Sequence, residues 1–293
     1  GKCVYFSPDG TYNQINPEMF RVGSAYVFDK YAIEWMGNLS ELGETYSETP
    51  LDTTRSYSVE LVGNPLFYED NEPRNVPHVV MDLPGAELEV QEINTMLSNK
   101  GWETHALLGA DGTEEDVKRI EKADVVHFAT HGYFTENDVV GNGIGLREKQ
   151  AIQNPLYQSG LILKDGGMLV EGESLYINKK PGVLTAYEAM NMNLGGTELV
   201  VLSACETGRG QIELGEGVYG LQRALMNAGA EAVIMSLFKV SDEVTQEMMV
   251  SFYSYWSDGL SKEAAFRKAK HEIREKYPDP RLWGSFVMVK NRG

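Results

Sequence analysis

Cysteine is nearly absent from this chain: Cys3 and Cys205 are the only two in 293 residues. Two thiols so far apart build neither a disulfide framework nor a zinc site. Their scarcity suits a reducing, cytoplasmic compartment. Basic residues are also few, 26 against 43 acidic, for a net charge of −17. Such a field repels phosphate backbones and anionic lipid, which argues against nucleic acid or a membrane surface as partner. No stretch approaches the roughly 18 uninterrupted apolar residues that a membrane span needs. Internal repeats and low-complexity tracts are missing, as is a G-x-S-x-G nucleophile elbow. The opening Gly1-Lys2-Cys3-Val4-Tyr5 has neither a signal-peptide pattern nor an initiator Met. It reads as the start of a fragment, with an upstream module beyond it.

What is present fits a soluble globular protein. Apolar residues make up 42% and charged residues 24%, enough to bury a core without covalent staples. Residues 1–56 form an accessory portion rich in aromatics and turn signals, among them Pro8-Asp9-Gly10 and Asn16-Pro17. From 57 to 293 the pattern alternates. Strands are predicted at 58–63, 103–108, 124–130, 198–204 and 232–238, with a last apolar run at 286–289. Between them, Pro84-Gly85 opens a helix whose Leu88, Ile93, Met96 and Leu97 keep helical spacing. Thr113 caps a short helix with acids in its first turn. Further helices are expected at about 215–228, ended by Gly229, and at 243–257 and 261–276. Such alternation predicts right-handed crossovers and a mostly parallel α/β sheet covered on both faces. The segment 133–183, with glycines at 141, 143, 145, 166, 167 and 172, reads either as a mobile activation loop or as a hairpin around residues 161–170.

Ligand sites in such sheets lie beyond the carboxyl ends of the strands. His131 directly follows the third predicted strand and Cys205 the fourth, so both project from one rim. A thiol becomes a nucleophile as its thiolate, which needs an imidazole or another positive field nearby. Acyl transfer also needs donors for the oxyanion, and the backbone N–H groups of Gly132 and Cys205 are the candidates. A positioned thiol–imidazole pair works as a dyad, so no third residue is required. Each residue has a plainer reading. A free cysteine is usually a buried structural thiol, and a loop histidine usually has no role. The strand-end position shared by the two tips the balance toward chemistry. His127 competes with His131 but sits mid-strand, where a histidine is more often a satisfied core residue.

Other patterns carry less. Gly215-Glu216-Gly217-Val218-Tyr219-Gly220 is formally G-x-G-x-x-G, but it does not follow its strand at once, and its acids would face phosphates. His127 and His131 form H-x-x-x-H on a strand, without the Glu a zincin needs. No cofactor or metal is expected.

The residues 127–132 (His-Phe-Ala-Thr-His-Gly) with 202–208 (Leu-Ser-Ala-Cys-Glu-Thr-Gly) resemble the CHAT domain, the caspase-like peptidase module associated with tetratricopeptide repeats. Further motifs follow in order along nearly the whole chain. They are Tyr5–Gly10, Leu83-Pro84-Gly85-Ala86 with Glu89, Leu184-Thr185-Ala186-Tyr187-Glu188, the glycine-rich 215–221, Ser236–Val240 with Asp242, and Trp283–Phe286. The charged insert at 68–82 departs from the pattern.

The resemblance implies a caspase-like three-layer sandwich whose mostly parallel central sheet is flanked by helices. It also implies a cysteine endopeptidase with the dyad His131 and Cys205. Its substrate pocket would draw on Ser203 and on the stretch holding Ser236, Phe238 and Asp242, with Asp242 or Glu206 available to a basic side chain. Both acids have plainer readings, Asp242 as a helix-start acid after Ser241 and Glu206 as a solvated loop acid. The partners implied are a protein substrate and an N-terminal tetratricopeptide-type regulatory or sensor region that gates the cleft. Two rivals stand beside this reading: a catalytically inactive interaction module of the same fold, and a different thiol enzyme such as an acyltransferase.

Overall fold

A computed structural model describes residues 2–37, 49–68, 80–134, 155–157, 159–167, 182–203, 205–206, 216–238 and 240–290. The predicted alternation is present. Strand β5 (Ser58–Pro65) leads into helix α2 (Pro84–Asn99) and strand β6 (Glu103–Gly109). Helix α3 (Glu114–Lys118) follows, with the Thr113 side chain accepting from the Asp116 amide. Next come β7 (Val125–Ala129) and, later, β11 (Leu199–Leu202), α5 (Glu216–Asn227) and β13 (Ala232–Ser236). Helices α6 (Asp242–Ser257) and α7 (Lys262–Lys276) precede α8 (Pro280–Trp283) and β14 (Phe286–Lys290). Gly229 ends the α5 segment at φ +116°, a conformation that costs a residue with a Cβ.

These strands join β1 (Lys2–Phe6) and β4 (Tyr31–Met36) in one eight-stranded sheet of order β1-β4-β14-β13-β11-β7-β5-β6. Neighbours run parallel except β13 and β14. Residues 2–36 therefore extend the sheet past the antiparallel strand β14. Period-two alternation builds the layers. On β11, Leu199 and Val201 face a core shared with α2, α6 and α7, while Val200 and Leu202 face one shared with α5. Strands β7 and β13 divide in the same way. All four β11 side chains are buried, as a strand covered on both faces requires, and each contributes about 1.5–3 kcal/mol. The architecture is the expected three-layer α/β sandwich, a mostly parallel sheet between two helical layers.

From β5 the chain passes through α2 to β6 on one side, then returns through α3 to β7 on the other. Strand order reverses between β5 and β7, and in such sheets the carboxyl ends flanking a reversal are where ligand sites lie.

A second sheet caps that end, with order β10-β9-β8-β12. It comprises β8 (His131–Phe134), β9 (Ser159–Ile162), β10 (Val183–Thr185) and β12 (Cys205–Glu206). Its close packing depends on Gly160, where a Cβ would come within 2.2 Å of the Leu184 carbonyl oxygen. Of the segment 133–183, β9 pairs with β8 and β10; the expected hairpin partner at 168–170 lies outside the described residues, as does most of the expected activation loop. Helix α4 (Ala186–Ala189) follows β10 with a capping box between Thr185 and Glu188. No helix among the described residues is long and apolar enough to cross a membrane.

Candidate functional site

Two neighbouring strands of the large sheet each make the same excursion. β7 ends at Ala129, and the buried Thr130 hydroxyl donates to the Ile162 carbonyl at 2.6 Å, fastening the bend to β9. The chain then re-enters a strand at His131. β11 ends at Leu202, and the Ser203 amide donates to the Phe128 carbonyl at 2.8 Å. That chain re-enters a strand at Cys205. β8 and β12 pair in parallel with Cys205 opposite His131 and Glu206 opposite Gly132. Adjacent strands lie about 4.8 Å apart, and residues directly opposite share a face. The sequence rule that set His131 and Cys205 at one rim thus ends, in the backbone, with the two side by side.

The His131 imidazole is held from behind. Its Nε2 lies 2.6 Å from the carbonyl oxygen of Met81. A carbonyl only accepts, so Nε2 carries a proton, and in the neutral ring that leaves the lone pair on Nδ1. Phe67 packs against the ring, 5.0 Å between centroids. The Met81 segment is itself tied down. The Leu83 amide donates to Asn64 Oδ1 at 2.8 Å, and Asn64 Nδ2 donates to Glu87 at 3.2 Å. Asn64, the last residue but one of β5, has a positive φ of +39°, which Asn tolerates better than most residues.

Beneath the rim lies a buried polar group that sequence reasoning did not foresee. The Ser203 hydroxyl donates to Glu89 Oε2 at 3.0 Å. Glu89 Oε1 lies 2.8 Å from His127 Nε2, at ion-pair distance but without hydrogen-bond alignment. His127 Nδ1 is 3.2 Å from the Tyr253 hydroxyl. All four residues are buried. Burial, then the Glu89 charge, pushes the Tyr253 phenol well above its ordinary value. His127 is thus a buried core residue, as its mid-strand position suggested, but only its Nδ1 has a hydrogen-bond partner; its Nε2 faces Glu89 without one.

The residues expected to hold substrate are spread more widely. Ser203 and Ser236 are both buried at the ends of neighbouring strands, and the Ser236 hydroxyl donates to the Phe238 carbonyl. Phe238 packs against the α5 side of the core. Asp242 opens α6 behind the Ser241 cap, and its Cβ backs onto Gly85 so closely that a Cβ there would meet it at 2.6 Å. Gly132 stands between β9 and β12, opposite Leu161 and Glu206. No group of three or more metal-ligating side chains occurs among the described residues.

Comparison with known proteins gives three findings. The CHAT domain family model matches residues 2–291. Tetratricopeptide repeat protein 28 of mouse is 25% identical over 285 residues, and the human protein of that name 25% over 287 residues. Each alignment takes in 90% of this chain but only 11% of the relative, so the chain spans about a tenth of their length. Among solved structures, the Arg-specific cysteine proteinase gingipain R superposes with a TM-score of 0.55 at 10% identity, over 99% of this chain and 63% of that one. That likeness is one of fold.

Proposed function

Because this chain belongs to the CHAT domain family, we propose that it is a cysteine endopeptidase with Cys205 as nucleophile and His131 as general base. The observation that carries the reading is the register of β12 on β8, which sets Cys205 against His131, with His131 Nε2 tied to a carbonyl. A ring whose Nε2 proton is so engaged offers its Nδ1 lone pair as the base. In the proposed reaction an extended peptide lies across the rim. His131 takes the Cys205 thiol proton, and the sulfur adds to the scissile carbonyl. The backbone N–H groups of Gly132 and Cys205 stabilise the oxyanion. The intermediate collapses, His131 returns the proton to the leaving amine, and water then hydrolyses the thioester. Ser203, Glu206, Ser236, Phe238 and Asp242 are the proposed substrate-facing residues, and the acidic net charge favours a basic protein substrate. The tetratricopeptide-repeat relatives support a setting in which a helical-repeat region gates the cleft.

Incubation with a peptidyl acyloxymethyl ketone, followed by peptide mapping, tests the dyad. Label is expected on Cys205 and not Cys3, and is expected to vanish in His131→Ala. Against a substrate found by profiling cleaved proteins, Cys205→Ala and His131→Ala should each lower kcat/KM at least about a thousandfold. A Cys205→Ala variant that cuts at the parent rate would end the proposal. An intact protein that takes no label would favour the inactive interaction module.

A further inference from the structure

A buried carboxylate is an expensive way to fill space. Taking it from water costs several kcal/mol unless charge and hydrogen bonds compensate. Glu89 is 1% exposed, and it comes from the helix that the Met81 segment leads into, eight residues after the carbonyl that holds His131. Its two oxygens reach the two strands that matter here. One accepts from Ser203, two positions before Cys205; the other meets His127, four positions before His131. Tyr253 on α6 closes the group from the far side of His127. One carboxylate thus pins the first turns of α2 to both strand ends that carry the proposed pair.

We infer that Glu89 is a positioning residue: it fixes α2 against the ends of β7 and β11, and so fixes the Met81 carbonyl that orients the His131 ring toward Cys205. The inference rests on the Cys205–His131 reading. Removing the carboxylate leaves the buried Ser203 hydroxyl without its acceptor and His127 without the carboxylate that faces it, and loosens the hold of α2 on the sheet. A displacement of about 1 Å in a supporting element is enough to spoil a proton-transfer geometry. The chain from Glu89 through α2 to Met81 then no longer holds the imidazole where it favours the thiolate.

The test reads thiolate formation directly, without a substrate. Iodoacetamide alkylation of Cys205 in the intact protein is followed by mass spectrometry from pH 5 to 10. His131→Ala calibrates the assay: it should slow Cys205 at neutral pH and move its midpoint toward that of an ordinary thiol, about 8.5. Glu89→Ala should slow Cys205 alkylation at pH 6.5 about tenfold and raise its midpoint by about one unit. Phe252→Leu, a core variant in the same layer, should lower the melting temperature and leave the profile alone. If Glu89→Ala does not fold, Ser203→Ala replaces it and should move the profile in the same direction. A parental profile in Glu89→Ala, or in Ser203→Ala where that stands in, overturns the inference. So does Phe252→Leu shifting the midpoint as far. If His131→Ala itself leaves Cys205 unchanged, it is the dyad that fails.

Discussion

At the scale of single residues, the site depends on groups whose function is carried by the main chain or by burial. The Met81 carbonyl that engages His131 has no signature in a sequence, since every residue owns one. Asn64 shows a more testable dependence. It accepts a positive φ and uses both ends of its amide, one on Leu83 and one on Glu87. Asn64→Ala should therefore lose about 1–3 kcal/mol, from strain and from the unmade bond to the Leu83 amide. Asn64→Gly relieves the strain but not the bond, and should fall between the two. Urea unfolding midpoints measure both; parental stability in the Ala variant would show that Asn64 holds nothing. The sequence ended its predicted strand at residue 63, one short of Asn64, and went no further, because a strand end does not say what the next side chain grips. Glu89 was visible only as part of a helix motif. Its partners at 127 and 203, and Tyr253 behind His127, come together from separate elements.

At the scale of elements, the strands and helices of the central sandwich were legible and the strands of the capping sheet were not. β7, β11, β13 and the helices α2, α6 and α7 lie within a few residues of their predicted bounds, since burial on a repeating face writes itself into the sequence. The capping sheet escaped notice because its strands, two to four residues long, lack the unbroken apolar run that marks the equally short β11. It is held at one end by charge. Glu188 closes the α4 capping box and meets Lys118, which also meets Glu114; Glu114 in turn accepts from the Gly182 amide at 2.8 Å. Burial alone would push the Glu188 carboxyl up, but the bonds from Lys118 and Thr185 outweigh it and hold it below the ordinary range. A depressed folded value stabilises the protein above the unfolded value, about 4.3, and that contribution fades as pH falls through the folded one. Glu188→Gln keeps the cap geometry and removes the charge. It should cost about 0.5–1 kcal/mol at pH 7, a modest figure because Lys118 is partly solvated, and almost nothing at pH 3. A gap of equal size at both pH values would refute the charge argument.

At the scale of the molecule, the question is whether residues 1–56 form an appendage or part of the folding unit. β1 and β4 continue the central sheet beyond β14, and the join between old edge and extension is a buried ion pair. Lys270 on α7, 2% exposed, contacts the Glu18 carboxylate and donates to the Phe286 carbonyl at 3.1 Å. Asn16 beside it donates to the Gly284 carbonyl at 2.8 Å. Arg267 on the same helix donates to the carbonyls of Phe28 and Tyr31. A charge buried at such a join is tolerable only while its partner remains. Glu18→Gln leaves the Lys270 ammonium in an apolar seam, and the expected loss is about 3–5 kcal/mol. Adding Lys270→Met to Glu18→Gln removes the stranded charge and should recover much of it. If the first 56 residues fold with the rest, guanidinium unfolding of Glu18→Gln stays a single transition at a lower midpoint. A separable appendage would instead come away first, giving two transitions with the second at the parental midpoint.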